Sequence, residues 1–301
     1  MKRFPFSLSK FCKQTLHKFN RKCSHLALAM MIFTSQSFPI TLSILDNTKN
    51  FPATPPAITQ LKNLSTASAG QKHNEIDPRH MPASLIKANE LYKLRSARSA
   101  VYQIGEDQYS AIISTENLHY QGANGEWKVS DPSFVRDEDS FVVTHNSIQS
   151  RAGSKEAWIT VAVEETAFSW KSNTLNAVTN EGGAIQLAET LSEPEKYATL
   201  DSSNQVLTYS NGWDDPSLQE QFISASDSLE HTLVLQKPPA ITKEKMQYLE
   251  LQATLELFPG ASLWTGNQRI HKDHQQVETL EIRQEDGTPV LVFEPILAFE
   301  Q

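Results

Sequence analysis

Three features of the sequence predict an all-β fold, an antiparallel β-sandwich-like domain preceded by a disordered linker and one short helix. From about Ser99 to Glu294, apolar and polar residues alternate with period 2. Turn signals recur between the alternating runs: Gly105, Asn124-Gly125, Gly182-Gly183, Asn211-Gly212, Pro259-Gly260 and Asp286-Gly287. No βαβ alternation is visible, and no fixed-period repeat points to a propeller or solenoid.

The N-terminus reads as an address. A basic stretch precedes the apolar run Leu26–Phe33, and small residues follow at Ser35 and Ser37. That order fits a secretory signal peptide over residues 1–37. The rival is an uncleaved anchor over 26–45, weakened by Thr34, Gln36, Pro39, Thr41 and Ser43. Residues 38–95 read as a linker rich in Pro, Ser, Thr, Asn and Ala, with a short helix over 82–97. Leu85, Ala88, Leu91, Tyr92 and Arg95 have helical spacing there. Residues 96–301 form the β domain.

Within that domain the clearest strand is Tyr248–Leu257. Leu249, Leu251, Ala253, Leu255 and Leu257 share one face and polar residues the other. Strands are also expected around Tyr109/Ala111/Ile113, Ala157/Ile159/Val161/Val163, Leu229/His231/Leu233/Leu235, Leu280/Ile282 and Pro289–Phe293. Asn124-Gly125 suits a two-residue type I′ turn. That register sets Gly122 opposite Trp127 and Tyr120 opposite Val129.

Charge narrows the partners. The 301 residues carry 27 Lys+Arg and 35 Asp+Glu, net −8. Residues 1–37 hold 7 basic residues and no acid; residues 38–95 hold 7 basic and 4 acidic residues. The remaining 13 basic and 31 acidic residues lie in 96–301, a net of −18. A body that acidic repels phosphate backbones, so nucleic acid is excluded as its partner. Both cysteines, Cys12 and Cys23, lie in the basic N-terminal stretch. The β domain therefore has no thiol chemistry.

No sequence signature of a nucleophile elbow, zinc-protease helix, P-loop or dinucleotide fold is present. His271-Lys-Asp-His274 is the candidate metal site, with His271, Asp273 and His274 as ligands. The competing reading is a polar loop over Gly266–Gln276. Asp131, Asp137-Glu138-Asp139 and Asp214-Asp215 lack EF-hand spacing and read as solvated turns. Of the tryptophans, Trp127 and Trp158 sit in alternating strands and read as packing residues. Trp213 and Trp264 lie beside turns and are the candidate sugar-binding aromatics. His119 and His231 read as hydrogen-bonded structural residues.

Three stretches carry a resemblance. They are Arg98–Ser114 leading into Leu118–Trp127 and Ser130–Pro132; Val206–Tyr209 with Asp214–Pro216 and Ser228–Leu235; and Leu251–Trp264. Together they resemble the N-terminal β-rich region of large secreted bacterial surface proteins of the Rhs/YD-repeat type. The resemblance covers about 96–300 and implies secretion, a β architecture and no catalytic residue. Proteins of that type continue well beyond such a region. This chain is therefore expected to be a truncated N-terminal part of a larger protein, or a short form.

The leading expectation is an exported, non-enzymatic β-rich module with a structural or presentation role. It belongs in the medium or cell envelope and uses no cofactor. Its expected partner is a cell-surface or polysaccharide ligand, with the membrane touched only through the export segment. The alternatives are a secreted carbohydrate-binding module and a metal-dependent hydrolase.

Overall fold

The computed structural model describes residues 4–8, 40–46 and 89–298, apart from 123, 164–165, 193, 195–196, 240, 242–244, 272–273, 277–278 and 295–296. For 4–8, 40–46, 274–276 and 297–298 it describes the backbone alone.

Nearly every described element is a strand. A six-stranded sheet runs in spatial order Thr199–Leu200, Val206–Tyr209, Leu218–Ser224, Leu229–Leu235, Phe4–Leu8, Leu297–Ala298. A nine-stranded sheet runs His274–Gln276, Ile40–Asp46, Met246–Leu257, Thr166–Thr179, Trp158–Val163, Gln149–Gly153, Ser140–Val143, Val135–Asp137. Its ninth strand, Ala184–Glu189, also pairs with Thr166–Thr179. A four-stranded sheet runs Gln268–Ile270, Ser262–Thr265, Leu280–Arg283, Pro289–Phe293. Two small sheets complete the fold: Asn89–Glu90 with Ser99–Gln103 and Tyr109–Ile113, and His119–Gln121 with Trp127–Val129. The pairings are antiparallel except that of Ile40–Asp46 with Met246–Leu257.

The alternation that predicts Tyr248–Leu257 is what the structure buries. Leu249, Leu251, Ala253 and Leu255 are all buried, and the strand begins two residues earlier, at Met246. Its neighbour Thr166–Thr179 keeps Phe168, Trp170, Ser172, Leu175 and Ala177 buried although the parity changes after Ser172. The cause is a β-bulge: Ser172 pairs with Ala253, yet Thr174 pairs with Gln252. Asn173 is the extra residue, so Leu175 regains the core face that a regular strand would have turned to solvent.

Three sheets meet in one core. Trp170 and Phe168 of the nine-stranded sheet reach Phe293 of the four-stranded sheet, with ring centroids 6.3 and 5.4 Å apart. Trp170 also meets His231 of the six-stranded sheet edge-on at 5.8 Å. Phe222 stacks on His231 at 5.1 Å and meets Tyr209 at 5.9 Å. Leu207, Phe222 and Leu255 are fully buried there. Each such side chain contributes about 1.5–3 kcal/mol relative to exposure.

Several expectations need correction. The helix over 82–97 is not formed in its described part. Residues 89–90 are a strand and Tyr92–Leu94 a single 3-10 turn. Pairing of Glu90 with Tyr102 holds this segment extended, and Arg95 turns back to grip Glu90. Residues 82–88 of that helix lie outside the described residues. Ile40–Asp46, expected within a linker, is a strand, and so is Phe4–Leu8 within the expected export segment. The apolar run 26–33 lies outside the described residues.

The 119–129 hairpin also differs. Gln121, not Gly122, pairs with Trp127, and His119, not Tyr120, pairs with Val129. Gly122 N–H bonds Glu126 C=O, Gly125 N–H bonds Gly122 C=O, and Gly125 has φ 76°. The bond closing the loop joins Gly122 to Glu126 and so encloses three residues, where a type I′ turn encloses two. The loop is therefore one residue longer, a tight turn followed by a left-handed glycine. The indole of Trp127 lies across from Gln121 rather than covering a bare glycine.

Candidate functional site

The candidate site grows from the four-stranded sheet. Leu263 pairs with Ile270 on one side and Ile282 on the other, and all three are buried. Side chains alternate faces along a strand. Their neighbours therefore share the outer face: Trp264 pairs with Arg269 and Glu281, and Ser262 with Arg283. The result is a half-exposed tryptophan in a polar, charged row.

The indole is held in place. Its Nε1–H donates to Ser262 Oγ at 2.9 Å, and the Ser262 hydroxyl donates to Arg283 C=O at 3.2 Å. The Arg283 guanidinium lies 4.7 Å from the ring centroid. It is oriented by Glu281 (Nε to Oε2, 2.8 Å) and by Gly266 C=O (2.7 Å). A guanidinium neutralised by a carboxylate and stacked on a ring makes a rigid platform. Beside it opens a groove of about 270 Å³ whose lining includes Trp264, Arg269, His271, Gln284, Glu285 and Pro259. Among the described residues, Arg269 and His271 have no hydrogen-bond or ion-pair partner in the protein. This pocket offers an aromatic surface, a free cation, an imidazole and a carboxylate. Such a set holds a polar ligand with one apolar face.

The other sequence candidates fall elsewhere. Trp213 is not a surface aromatic: it is 2% exposed, and its Nε1–H donates to Glu220 Oε2 at 3.2 Å. The turn beside it folds inward because Trp213 bridges to Thr190 and lays its ring in the core. His271 reaches the groove, while Asp273 and the side chain of His274 lie outside the described residues. Among the described residues, no group of three metal-binding side chains gathers.

The carboxylates read as solvated turns have specific duties. Asp137 pairs with Arg151 at 2.7 Å, Asp131 accepts from Ser133 N–H, Asp214 from Glu189 N–H and Asp215 from Ser217 N–H. His119 and His231 are structural, as read from their strands. His119 is buried and its Nδ1 is 2.8 Å from Ser96 C=O. Burial holds its pKa below the ordinary histidine value, with the nearby Arg95 charge pushing the same way.

One cluster was not foreseen. Glu220 is fully buried, and three side chains converge on its carboxylate: Ser172 Oγ at 2.7 Å, Trp213 Nε1, and His231 Nε2. The residue types are those of a hydrolase triad, but the arrangement is not. Serine and histidine both bond the acid rather than each other, and all four residues are sealed from solvent. Burial and the Glu220 charge hold the neighbouring Tyr209 pKa well above its ordinary value, and its hydroxyl donates to Gly153 C=O. The signal for Glu220 was legible: it shares strand parity with Leu218 and Phe222. An acid on an apolar face demands buried donors. Arg269 faces Trp264 across a local hairpin that Gly266 could have signalled, whereas Arg283 was not legible because its strand joins Ser262–Thr265 from nearly twenty residues away.

No protein family, curated protein or solved structure matches the chain.

Proposed function

We propose that this chain is an exported, non-enzymatic β-sandwich module that binds a saccharide in the groove beside Trp264. The observation that carries the reading is the half-exposed Trp264 ring, immobilised by Ser262 and Arg283 at the mouth of a polar groove. A sugar ring has an apolar C–H face that stacks on an indole and hydroxyls that hydrogen-bond arginine, imidazole and carboxylate groups. Because the Trp264 N–H is already bonded to Ser262, the ligand would use the ring surface. Support for export comes from the basic stretch and apolar run of residues 1–37.

The test is a binding survey of soluble polysaccharides by affinity electrophoresis, followed by calorimetry on the hits. Trp264→Ala should abolish binding while the fold persists by circular dichroism, with some loss of melting temperature from the lost Ser262 and Arg283 contacts. The reading fails if the wild type binds none of the polysaccharides, or if Trp264→Ala binds as well as the wild type.

A second reading, a presentation domain at the front of a larger Rhs/YD-type surface protein, rests on the three resembling stretches within 98–264. An immunoblot of native cells and medium with antibody against 96–301 separates the two. A band larger than the 33.8 kDa chain favours the presentation domain.

A further inference from the structure

The Tyr109–Ile113 strand ends its sheet. It pairs with Ser99–Gln103 on one side and, among the described residues, with no strand on the other. Two flanking backbone bonds show which of its groups face outward. Ile104 N–H bonds Gln108 C=O at 2.9 Å, and Ser114 N–H bonds Arg98 C=O at 2.9 Å. In an antiparallel ladder, bonded and non-bonded pairs alternate. With Ile104/Gln108 and Arg98/Ser114 bonded, Tyr102/Ser110 and Ala100/Ile112 are the bonded pairs between them. The N–H and C=O groups of Tyr109, Ala111 and Ile113 therefore point to the open edge.

The same three residues expose their side chains. Tyr109 is 58% exposed, Ile113 is 82% exposed and Ala111 is exposed between them. The alternation that marked the strand thus belongs to its wet face. Natural edges of this kind are blunted by charge, proline or a bulge. From Gln108 to Ser114 there is no charged residue, no proline and no glycine. Among the described residues, Thr199–Leu200, Leu297–Ala298, Val135–Asp137 and His274–Gln276 are edges of only two or three residues, and the longer edges Pro289–Phe293 and Ala184–Glu189 carry a proline and a glutamate.

The strand is also complementary to itself. When two copies run antiparallel with Ala111 opposite Ala111, Tyr109 of each lies opposite Ile113 of the other. All three pairs are then of the bonded type, and each exchanges two hydrogen bonds. Aromatic against β-branched is a favourable cross-strand pair, and the small alanine leaves room at the axis. At the ends, Glu106 and Asp107 of one copy come opposite Glu116 and Thr115 of the other, a like-charge contact that keeps the association weak. Elsewhere the net −18 of residues 96–301 opposes contact between copies.

We propose that this edge is a self-association surface, on which two copies of the chain join their Tyr109–Ile113 strands about a two-fold axis at Ala111 into one continuous sheet. The contact is isologous and closes after two copies. It is strand-sized, below about 1,000 Å², so the dimer is weak and concentration-dependent.

Sedimentation velocity of the full chain across the micromolar range tests this. The wild type should move from monomer toward dimer as concentration rises. Ile113→Lys replaces the apolar partner of Tyr109 with a hydrated charge and should weaken the dimer by about tenfold or more. Ala111→Pro removes an N–H that bonds nothing among the described residues and should act likewise. If Ala111→Pro disturbs folding, Ile113→Lys alone carries the test, since its side chain is in solvent. A wild type that stays monomeric throughout overturns the proposal. So does association that survives Ile113→Lys, or that is lost instead on Val135→Lys at the edge of the nine-stranded sheet.

Discussion

Replacing Glu220 by leucine should cost this protein about 3–5 kcal/mol of stability. The carboxylate is fully buried and accepts from Ser172, Trp213 and His231. Leucine resembles glutamate in bulk, so the cavity term is small and the unmet donors dominate. Each buried donor left without a partner costs about 1–3 kcal/mol. The Ser172 hydroxyl can rotate to another acceptor and contributes least. The Trp213 and His231 N–H groups are fixed to rigid rings packed in the core, so they contribute fully. Breaking a buried charged network from one side carries a similar figure. Glu220→Gln should cost less, about 1–3 kcal/mol, because one acceptor oxygen remains while the new amide N–H₂ faces a donor. The assay is urea unfolding followed by tryptophan fluorescence, with stability taken from the midpoint at constant m. A loss below about 1 kcal/mol for Glu220→Leu would refute the reasoning. It would mean the donors find other partners or that carboxylate desolvation already cancels the network.

The other predictions are briefer. A Cβ at Gly153 would stand 2.5 Å from Glu156 C=O and 2.6 Å from Trp158 Nε1, and neither can retreat easily. Gly153→Ala should therefore destabilise by about 2–3 kcal/mol, measured by calorimetric melting; an unchanged melting temperature contradicts the packing. His119 has a folded pKa below its unfolded value of 6.5, chiefly through burial. Below pH 6.5 the unfolded chain takes up a proton that the folded chain refuses. Stability should thus fall as pH drops from 6.5 toward the folded pKa, and His119→Gln should flatten that slope in urea midpoints taken across the window. Trp264→Ala should lose polysaccharide binding while keeping the fold, read by calorimetry and circular dichroism on the same samples. Ile113→Lys should keep the chain monomeric in sedimentation.

Local information fixed much of the strand inventory. The alternation of Leu249, Leu251, Ala253 and Leu255, and of Ile159 and Val161, names the buried face because a strand's period is two. Turn residues placed the breaks between strands, and Gly125 supplies the positive φ its loop needs. The hairpin register was missed because a loop of two residues and a loop of three differ by one residue. That single residue exchanges the partners of Trp127 and Tyr120. The helix over 82–97 failed for a related reason: helical spacing is a weak preference, and Glu90 found both a strand partner in Tyr102 and an ion partner in Arg95.

The sequence by itself determined that the chain is all-β, that its domain is acidic, and that His119 and His231 lie in strands as structural residues. Those are matters of composition and of neighbours a few positions apart. Only the tertiary structure decided which of Trp213 and Trp264 faces solvent, which acid is buried, and which strand keeps an open edge. These depend on contacts between residues far apart in the chain. Trp213 turns inward to Glu220 and Trp264 outward to Arg283 because of which sheets their strands join. Strand alternation marks two faces and two edges, but only packing chooses which of them meets water.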